Sequence, residues 1–581
     1  MSQSSLESIS KLNPEVEVGP SGLADGGRHL WDLCRRQFAR HWVLILISLL
    51  AAALRGFALG RYSLWMDEAR QTSFYFTVSN IVSMVGRAAT QQQPPLDYLL
   101  GYLVTRSLSA MFGFQEWMAR LPAFVFGVSL VPMAYFLARD LTHEGRESSG
   151  ELWRSVAAGL LAASLVALSP VLVAASQEAR PYSIYFFFLL YWSWSWLKWW
   201  RNDGASSPRR LQWATFLFLM SRGMAPLVYV VVVACFTGVF SPDVRGRLKV
   251  LVWPMMAFMP FQLLIILSSG QYLGSSQVAL GVWRPWLALD RLAQVLRTEV
   301  FSGYRWGAFV ASAIVLFASV KRRGILLFAT AIIFFEPMLH AGIYSFLVKS
   351  EVARMQGRYF LYLVPCLAIL ASAAAAIYVP VRGRLALALI PLSFVIVAWP
   401  EWQVHYSREK TDYRGAWRVL TARWKRDDVA LYSGFQSPGA WQSPFYGEGF
   451  YYPRGLAQMD LIELADEVER HPERPGRVWL LLHESTDRMQ AEAAGLRVWS
   501  FQGLMVAQSQ TDAGLLRENL TQLLQAMLRF YPETSARQPL LASLARLNCR
   551  FHPEAARAAI DEWRRWQPSL GGGFDPSRDC H

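Results

Sequence analysis

The stretch Leu64-Trp65-Met66-Asp67-Glu68-Ala69-Arg70 carries the charges on which the interpretation of the whole chain depends. It directly follows the first long apolar segment, residues 41–60, so two carboxylates and an arginine lie where a membrane helix would emerge into water. A carboxylate there can take a proton from a hydroxyl group, provided that its pKa suits the task. An arginine beside it can hold a phosphate through its planar fork of donors. The alternative interpretation is an ordinary charged turn at the membrane surface.

The composition indicates a membrane protein. Of the 581 residues, 53% are hydrophobic, and apolar runs of roughly 16 to 22 residues recur between residues 42 and 400, whereas ~20 helical residues cross a bilayer. The net charge of +14 suggests a nucleic-acid partner at first sight. We reject that partner, because the basic residues cluster at the ends of apolar segments, as the positive-inside rule requires.

The charges around the first helices predict the topology. Arg35, Arg36 and Arg40 precede the first helix, which predicts a disordered, cytoplasmic N-terminus over residues 1–40. The charged loop 139–154 is also predicted to be cytoplasmic, so the chain crosses outward once and returns once between these points. The segments between them, 72–87 and 96–112, are then interfacial helices in the first outer loop.

Continued alternation of loops predicts an all-α, polytopic membrane domain over residues 41–400 with about eleven transmembrane helices. Residues 211–240 form two short spans around Ser221-Arg222-Gly223. Residues 401–581 are predicted to be an extracytoplasmic, soluble α/β domain. The remaining predicted helices and strands are helices 119–138, 155–175, 183–200, 249–268, 306–320, 325–347, 359–379, 385–400, 414–424, 459–470 and 513–530, and strands 428–433, 478–483 and 498–508.

The five cysteines show no metal-ligand spacing. Cys235 and Cys366 lie in apolar runs and are interpreted as packing residues. Cys549 and Cys580 form a disulfide in one interpretation, which requires an extracytoplasmic C-terminal domain, and are free thiols in the other.

Three further segments of the predicted outer face carry polar motifs. They are Gln91–Tyr98 (QQQPPLDY), Ser176–Ser183 (SQEARPYS) and Gln356–Tyr359 (QGRY). The arginines near these motifs violate the positive-inside rule, because they lie on the predicted outer face. An anionic headgroup would bind on that face. These arginines are Arg70, Arg180, Arg354 and Arg358.

The four motifs, in this order, resemble those of the GT-C membrane glycosyltransferases. The resemblance is closest to bacterial relatives of the protein O-mannosyltransferases and of the lipid A aminoarabinose transferases, and it covers roughly residues 40–400. One position departs from the pattern: Gln93 precedes Pro94-Pro95 where these families usually carry His or Lys. Glutamine donates a hydrogen bond but brings no charge.

The resemblance implies a function at the outer face of the inner (cytoplasmic) membrane. A sugar linked to a polyprenyl phosphate would be the donor, and a hydroxyl of a lipid, glycan or protein would be the acceptor, with inversion at the anomeric carbon. Asp67 would be the base and Glu68 a second carboxylate that orients the acceptor or its neighbours. Arg70, Arg180 and Arg358 would bind the donor phosphate, which is also the leaving group.

The resemblance also implies a wider pocket, in which membrane lipids surround the donor. Its lining residues would be Gln93, Glu178, Tyr182 and Tyr359. No His, Asp, Glu or Cys cluster with metal-ligand spacing is visible, so no obligatory metal or other cofactor is predicted, with a divalent metal as the open alternative.

Two other classes of protein remain as alternatives. A polytopic transporter or flippase would carry charges at mid-membrane, and Glu336 beside Pro337 is the carboxylate that fits this class. A non-catalytic assembly protein for lipid-linked glycans would have the same fold without the transfer reaction. Replacement of Asp67 distinguishes an enzyme from this assembly protein, because loss of transfer with folding intact supports an enzyme.

Overall fold

The structure is a computed structural model that describes part of the chain. The predicted helices 306–320 and 325–347, and Glu336, lie outside the described residues. The described residues are 41–90, 93–143, 149–201, 208–222, 224–240, 246–273, 292–294, 296, 360–378, 384–407, 413–425, 427–432, 457–459, 468, 470–471, 473–483, 496–501, 504–509, 515–530, 541, 544–545, 547–549 and 553–565.

Helices dominate the described residues and are numbered here in chain order. They are α1 His41–Gly56, α2 Met66–Thr77, α3 Ile81–Thr90, α4 Pro95–Phe112, α5 Glu116–Thr142, α6 Ser149–Leu168, α7 Pro170–Ser176, α8 Tyr182–Trp200, α9 Pro208–Arg222, α10 Met224–Phe240, α11 Val252–Leu273 (after a 3-10 turn, Gly246–Leu251), α12 Leu363–Tyr378, α13 Arg384–Ser407, α14 Tyr413–Arg423, α15 Leu516–Phe530 and α16 Pro553–Arg565.

Helix α5 is long and apolar enough to cross a membrane. Its charged side chains lie near its ends: Arg120 is buried in the first turns, and Asp140 pairs with Lys198 in the last turns at 3.1 Å. The two are about 20 residues apart, so ~30 Å of helix separates them, which matches the hydrocarbon thickness of a bilayer. The two polar clusters around these residues therefore mark opposite ends of the helix.

The predicted helix 155–175 is broken in two. Helices α6 and α7 meet at an angle of 64° beside Pro170. Proline has no N–H group, so the carbonyl of Val166, four residues earlier, lacks its helical donor. The buried side chain of Arg55 in α1 supplies replacements, because it donates to the carbonyl oxygens of Val166 at 3.0 Å and Ala167 at 3.1 Å. Arg55 of α1 thus stabilises the break between α6 and α7.

The number of spans stays a prediction. Within the described residues, α5 passes a length and hydropathy criterion for a span, and the bent pair α6–α7 passes it jointly. Three shorter apolar helices also occur, His41–Gly56, Ala225–Cys235 and Leu363–Tyr378. The pair of short helices expected in residues 211–240 is present as α9 and α10.

Aromatic side chains fill the core between α8, α9 and α10. Trp192 of α8 is fully buried and stacks on Phe218 of α9 at 5.8 Å between ring centroids. Its indole N–H donates to the hydroxyl of Thr215 at 2.9 Å, so the one polar atom of the ring is satisfied. This packing holds the helices that follow the turn at residues 177–181.

The C-terminal part contains a five-stranded sheet in the order β2-β1-β3-β5-β4. Strand β1 pairs in parallel with β2 and β3, whereas β5 pairs antiparallel with β3 and β4. The expected single strand 498–508 is observed as two strands that pair antiparallel. The existence of a separate domain over residues 401–581 stays a prediction. The strands are β1 Val429–Tyr432, β2 Ala457–Met459, β3 Val478–His483, β4 Leu496–Phe501 and β5 Leu504–Ser509.

Candidate functional site

The site begins at the N-terminus of α2. Trp65 is the N-cap residue in an extended conformation, and its backbone N–H donates to Oε2 of Glu68 at 3.2 Å. Asp67 and Glu68 both lie in the first turn, where the helix dipole favours negative charge. The acidic pair thus helps to start the helix that carries it.

Glu68 is fully buried and its carboxylate is bonded by its own chain. Arg120 donates through Nε to Oε1 at 2.9 Å and through Nη2 to Oε2 at 2.8 Å. The backbone N–H of Ala179 donates to Oε1 at 2.6 Å. Glu68 therefore ties α2 to the start of α5 and to the turn 177–181.

Arg120 also holds the chain that leads from α1 to α2. Its Nη1 donates to the carbonyl oxygens of Leu59 at 2.8 Å and Tyr62 at 3.0 Å, and its Nη2 donates to that of Ser63 at 3.0 Å. Arg120 was not among the site residues predicted from the sequence. The signal was present, since a charged residue at the start of an apolar segment calls for a buried partner.

Asp67 faces the turn 177–181 instead of the interior. Its Oδ2 lies 3.5 Å from Nη2 of Arg180, with 25% of the Asp67 side chain and 15% of the Arg180 side chain exposed. The Arg180 guanidinium lies 6.0 Å from the centre of the Trp65 ring. Burial alone would lower the pKa of Arg180, but nearby Tyr182, Asp67, Tyr98 and Asp97 raise it above its ordinary value. Arg180 is therefore a permanent cation beside an accessible carboxylate.

The turn that carries Arg180 is fixed from several sides. The side-chain amide of Gln177 donates to the carbonyl oxygens of Arg55 at 3.1 Å and Phe57 at 2.8 Å, and thereby caps the end of α1. Its Oε1 lies 3.0 Å from Nε2 of His405 in the last turn of α13. The backbone N–H of Arg180 donates to the carbonyl oxygen of Glu178 at 2.7 Å. These contacts hold Arg180 in place opposite Asp67.

A second carboxylate, Asp97, lies buried in the first turn of α4. The amide Nε2 of Gln71 donates to Oδ2 of Asp97 at 2.6 Å and to the hydroxyl of Tyr75 at 2.7 Å. Burial raises the pKa of Asp97 to about 6, although the bond from Gln71 and the charge of Arg180 oppose the rise. A Cβ atom at Gly101 would overlap the Tyr75 hydroxyl, so glycine there permits the close approach of α4 to α2.

The structure brings together part of the predicted site. Asp67, Glu68, Glu178, Arg180 and Tyr182 come from two segments that meet at one end of α5. The structure pairs Arg180 with Asp67.

For the other predicted residues the structure describes a backbone contact or no side chain. The backbone N–H of Gln93 donates to the carbonyl oxygen of Ala88 at 2.8 Å, closing the turn between α3 and α4. The side chain of Arg70, and both Arg358 and Tyr359, lie outside the described residues. Among the described residues, no three His, Cys, Asp or Glu side chains form a group that could hold a metal ion. The absence of an obligatory metal stays a prediction.

Comparison with known proteins gave structural neighbours. No family model and no curated protein matches this chain. ArnT from Cupriavidus metallidurans in the apo state is 13% identical with a TM-score of 0.47, covering 81% of this chain and 98% of that one. The same protein bound to undecaprenyl phosphate is 12% identical with a TM-score of 0.49, covering 81% and 99%. The oligosaccharyltransferase of Archaeoglobus fulgidus, in complex with zinc and sulfate, is 12% identical with a TM-score of 0.45, covering 92% and 87%.

The chain thus shares similarity over most of its length with ArnT and with an archaeal oligosaccharyltransferase. The similarity lies in the path of the chain. At these identities it gives no individual residue a role.

Proposed function

We propose that this chain is a membrane glycosyltransferase. It transfers a sugar from a polyprenyl phosphate to an acceptor hydroxyl at the outer face of the cytoplasmic membrane, with inversion of the anomeric carbon. The observation that carries the proposal is the ion pair of Asp67 and Arg180, built from two of the four motifs whose order suggested this chemistry. The proposed donor belongs to the same class of lipid as the undecaprenyl phosphate bound to ArnT.

Asp67 is the proposed base. It is the accessible member of the acidic pair, with 25% of its side chain exposed, and a base must reach the proton that it takes. Glu68 is the proposed positioning residue, because its carboxylate already accepts hydrogen bonds from Arg120, Trp65 and Ala179. The acceptor oxygen attacks the anomeric carbon as Asp67 takes its proton. The bond from that carbon to the phosphate oxygen breaks, and the lipid phosphate leaves.

Arg180 is the proposed ligand of the donor phosphate. The 3.5 Å distance to Asp67 is long for a hydrogen bond, so the guanidinium can turn toward a second anion without losing a strong contact. Charge develops on the phosphate as the sugar leaves, and a fixed arginine stabilises that charge. Arg70 and Arg358 are proposed as further phosphate ligands from the sequence motifs alone.

The proposed location at the outer face has support from one cysteine. Cys549 is disulfide-bonded, whereas Cys235 and Cys366 are free. Disulfides persist in oxidising compartments and are rare in the cytosol. A disulfide in the C-terminal part therefore favours an extracytoplasmic C-terminal domain, as the topology argument predicts.

The test is transfer by purified, detergent-solubilised variants supplied with a set of polyprenyl-phosphate sugars. Asp67→Asn preserves the size of the side chain but cannot take a proton, so the transfer rate should fall ~10²–10⁴-fold with donor binding nearly intact. Arg180→Lys should weaken donor binding and transfer together, because lysine lacks the two-pronged geometry. A wild-type rate in Asp67→Asn would remove Asp67 as the base.

A further inference from the structure

Three buried polar atoms around Asp67 have no hydrogen-bond partner within the described part of the chain. Two are donors, Nε1 of Trp65 and Nε of Arg180, and one is an acceptor, Oε1 of Gln71. Buried polar groups are nearly always paired, so a cluster of unpaired ones indicates a ligand. Gln71 is only 1% exposed.

These three atoms belong to one neighbourhood. The guanidinium of Arg180 lies 6.0 Å from the centre of the Trp65 ring and 3.5 Å from the Asp67 carboxylate. Gln71 follows Asp67 by one helical turn on the same face of α2. Gln71 also bonds Asp97, which is itself close enough to Arg180 for their charges to interact.

The amide of Gln71 has a defined orientation. An ionised carboxylate only accepts hydrogen bonds, so the amide nitrogen must face Asp97 at 2.6 Å, and the same nitrogen lies 2.7 Å from the hydroxyl of Tyr75. The amide oxygen is then left as an acceptor. A matching ligand offers acceptor oxygens to Trp65 and Arg180 and a hydroxyl donor to Gln71.

We propose that Gln71 binds a hydroxyl group of the donor sugar, and that Asp97 is the positioning residue that turns the Gln71 amide toward it. This inference rests on the proposed function, and it adds a sugar-reading residue to the site. The donor sugar is preferred to the acceptor because it is bonded to the phosphate that Arg180 is proposed to hold, so the two must lie together. A hydrogen bond of this kind discriminates between sugars with and without the hydroxyl.

The experiment compares two probes, undecaprenyl phosphate and undecaprenyl phosphate carrying one hexose, in binding to the full-length protein in detergent. For Gln71→Leu we expect an unchanged Kd for the bare lipid and a Kd for the sugar-bearing lipid raised by ~10-fold, because only the sugar loses a bond. The unchanged binding of the bare lipid also shows that the variant is folded. Gln71→Met, closer in shape to glutamine, should give the same result.

Two control variants separate the positioning role of Asp97 from the direct contact made by Gln71. Asp97→Asn should raise the Kd of the sugar-bearing lipid by a smaller factor. An asparagine amide both donates and accepts hydrogen bonds, so it accommodates either orientation of the Gln71 amide. In only one of the two orientations does Oε1 of Gln71 face the sugar. Gln508→Leu, a buried glutamine of β5, should change neither Kd. The inference is overturned if Gln71→Leu weakens both lipids equally, or leaves both unchanged while slowing transfer, which would assign Gln71 to the acceptor. Failure of the proposed function would appear separately, as the absence of transfer by the wild-type protein from every polyprenyl-phosphate sugar supplied.

Discussion

At the scale of single residues, the two carboxylates near Arg180 differ in their surroundings. Asp67 is partly exposed, whereas Asp97 is buried at 4% exposure and is bonded by Gln71. Desolvation penalises the charged form of a carboxyl group, which explains why the pKa of Asp97 rises from 3.8 to about 6. The environment therefore leaves Asp67 accessible from outside and keeps Asp97 in a contact within the protein.

The raised pKa of Asp97 predicts a pH-dependent stability. The folded protein holds the Asp97 proton more tightly than the unfolded chain does, so this contribution favours folding below pH ~4 and is lost as the pH rises through ~6. The upper estimate is about 3 kcal/mol for a rise of this size. Asp97→Asn should remove the contribution. The measurement is Tm in detergent between pH 4 and 8, and the difference between the variant and the wild type should change within this window. A pH-independent difference would contradict the prediction.

At the scale of elements, the Glu68–Arg120 pair holds α2, α5 and the turn 177–181 together. Removal of one partner leaves a buried, uncompensated charge, so Glu68→Gln or Arg120→Leu should each destabilise the protein by ~3–5 kcal/mol. The double variant should lose less stability than the sum of the losses in the two single variants. The check is a double-mutant cycle on Tm in detergent, in which additive losses would show that the pair is uncoupled. Lys198→Met, which removes a partly exposed partner of Asp140, is the control and should cost less.

The sequence predicted most of the helices but not how they bend. Residues 96–112 and 183–200 were expected as helices and are observed as α4 and α8, because long apolar or amphipathic runs have few other solutions. The break at Pro170 was missed, although proline inside an apolar run is a known cause of kinks. The compensating donor, Arg55, is distant in sequence, and hydropathy alone cannot pair the two.

At the scale of the molecule, the order of the motifs indicated a common site but not its contacts. Asp67 and Arg180 were each selected from the sequence, yet their pairing depends on how α2 and the turn 177–181 pack. Gln71 and Arg120 were not selected, because their roles come from burial, which a single sequence does not display. Asp97 lies in an apolar segment, where a carboxylate is costly, and that cost is the sequence signal of a bonded position.

The final prediction concerns which parts of the chain share a side of the membrane. In the last turn of α13, the hydroxyl of Tyr406 donates to the carbonyl oxygen of Leu54 at 3.0 Å, and His405 bonds Gln177. The C-terminal part therefore begins at the end of α5 where Asp67 lies, ~30 Å from Asp140 at the other end. Residues 401–581 should share a side with the site, opposite the loop 139–154.

Single cysteines introduced as Arg557→Cys and His143→Cys test this arrangement with a membrane-impermeant maleimide. The background variant has Cys235 and Cys366 replaced, since these are the free thiols among the described residues. We expect labelling of the Arg557→Cys variant in intact cells, because position 557 is exposed in α16 and α16 is predicted to lie on the extracytoplasmic side. The His143→Cys variant should be labelled only after permeabilisation, because the charged loop 139–154 beside it is predicted to be cytoplasmic. Equal labelling of both variants in intact cells would place both segments outside, and the topology with the site at the outer face would then be wrong.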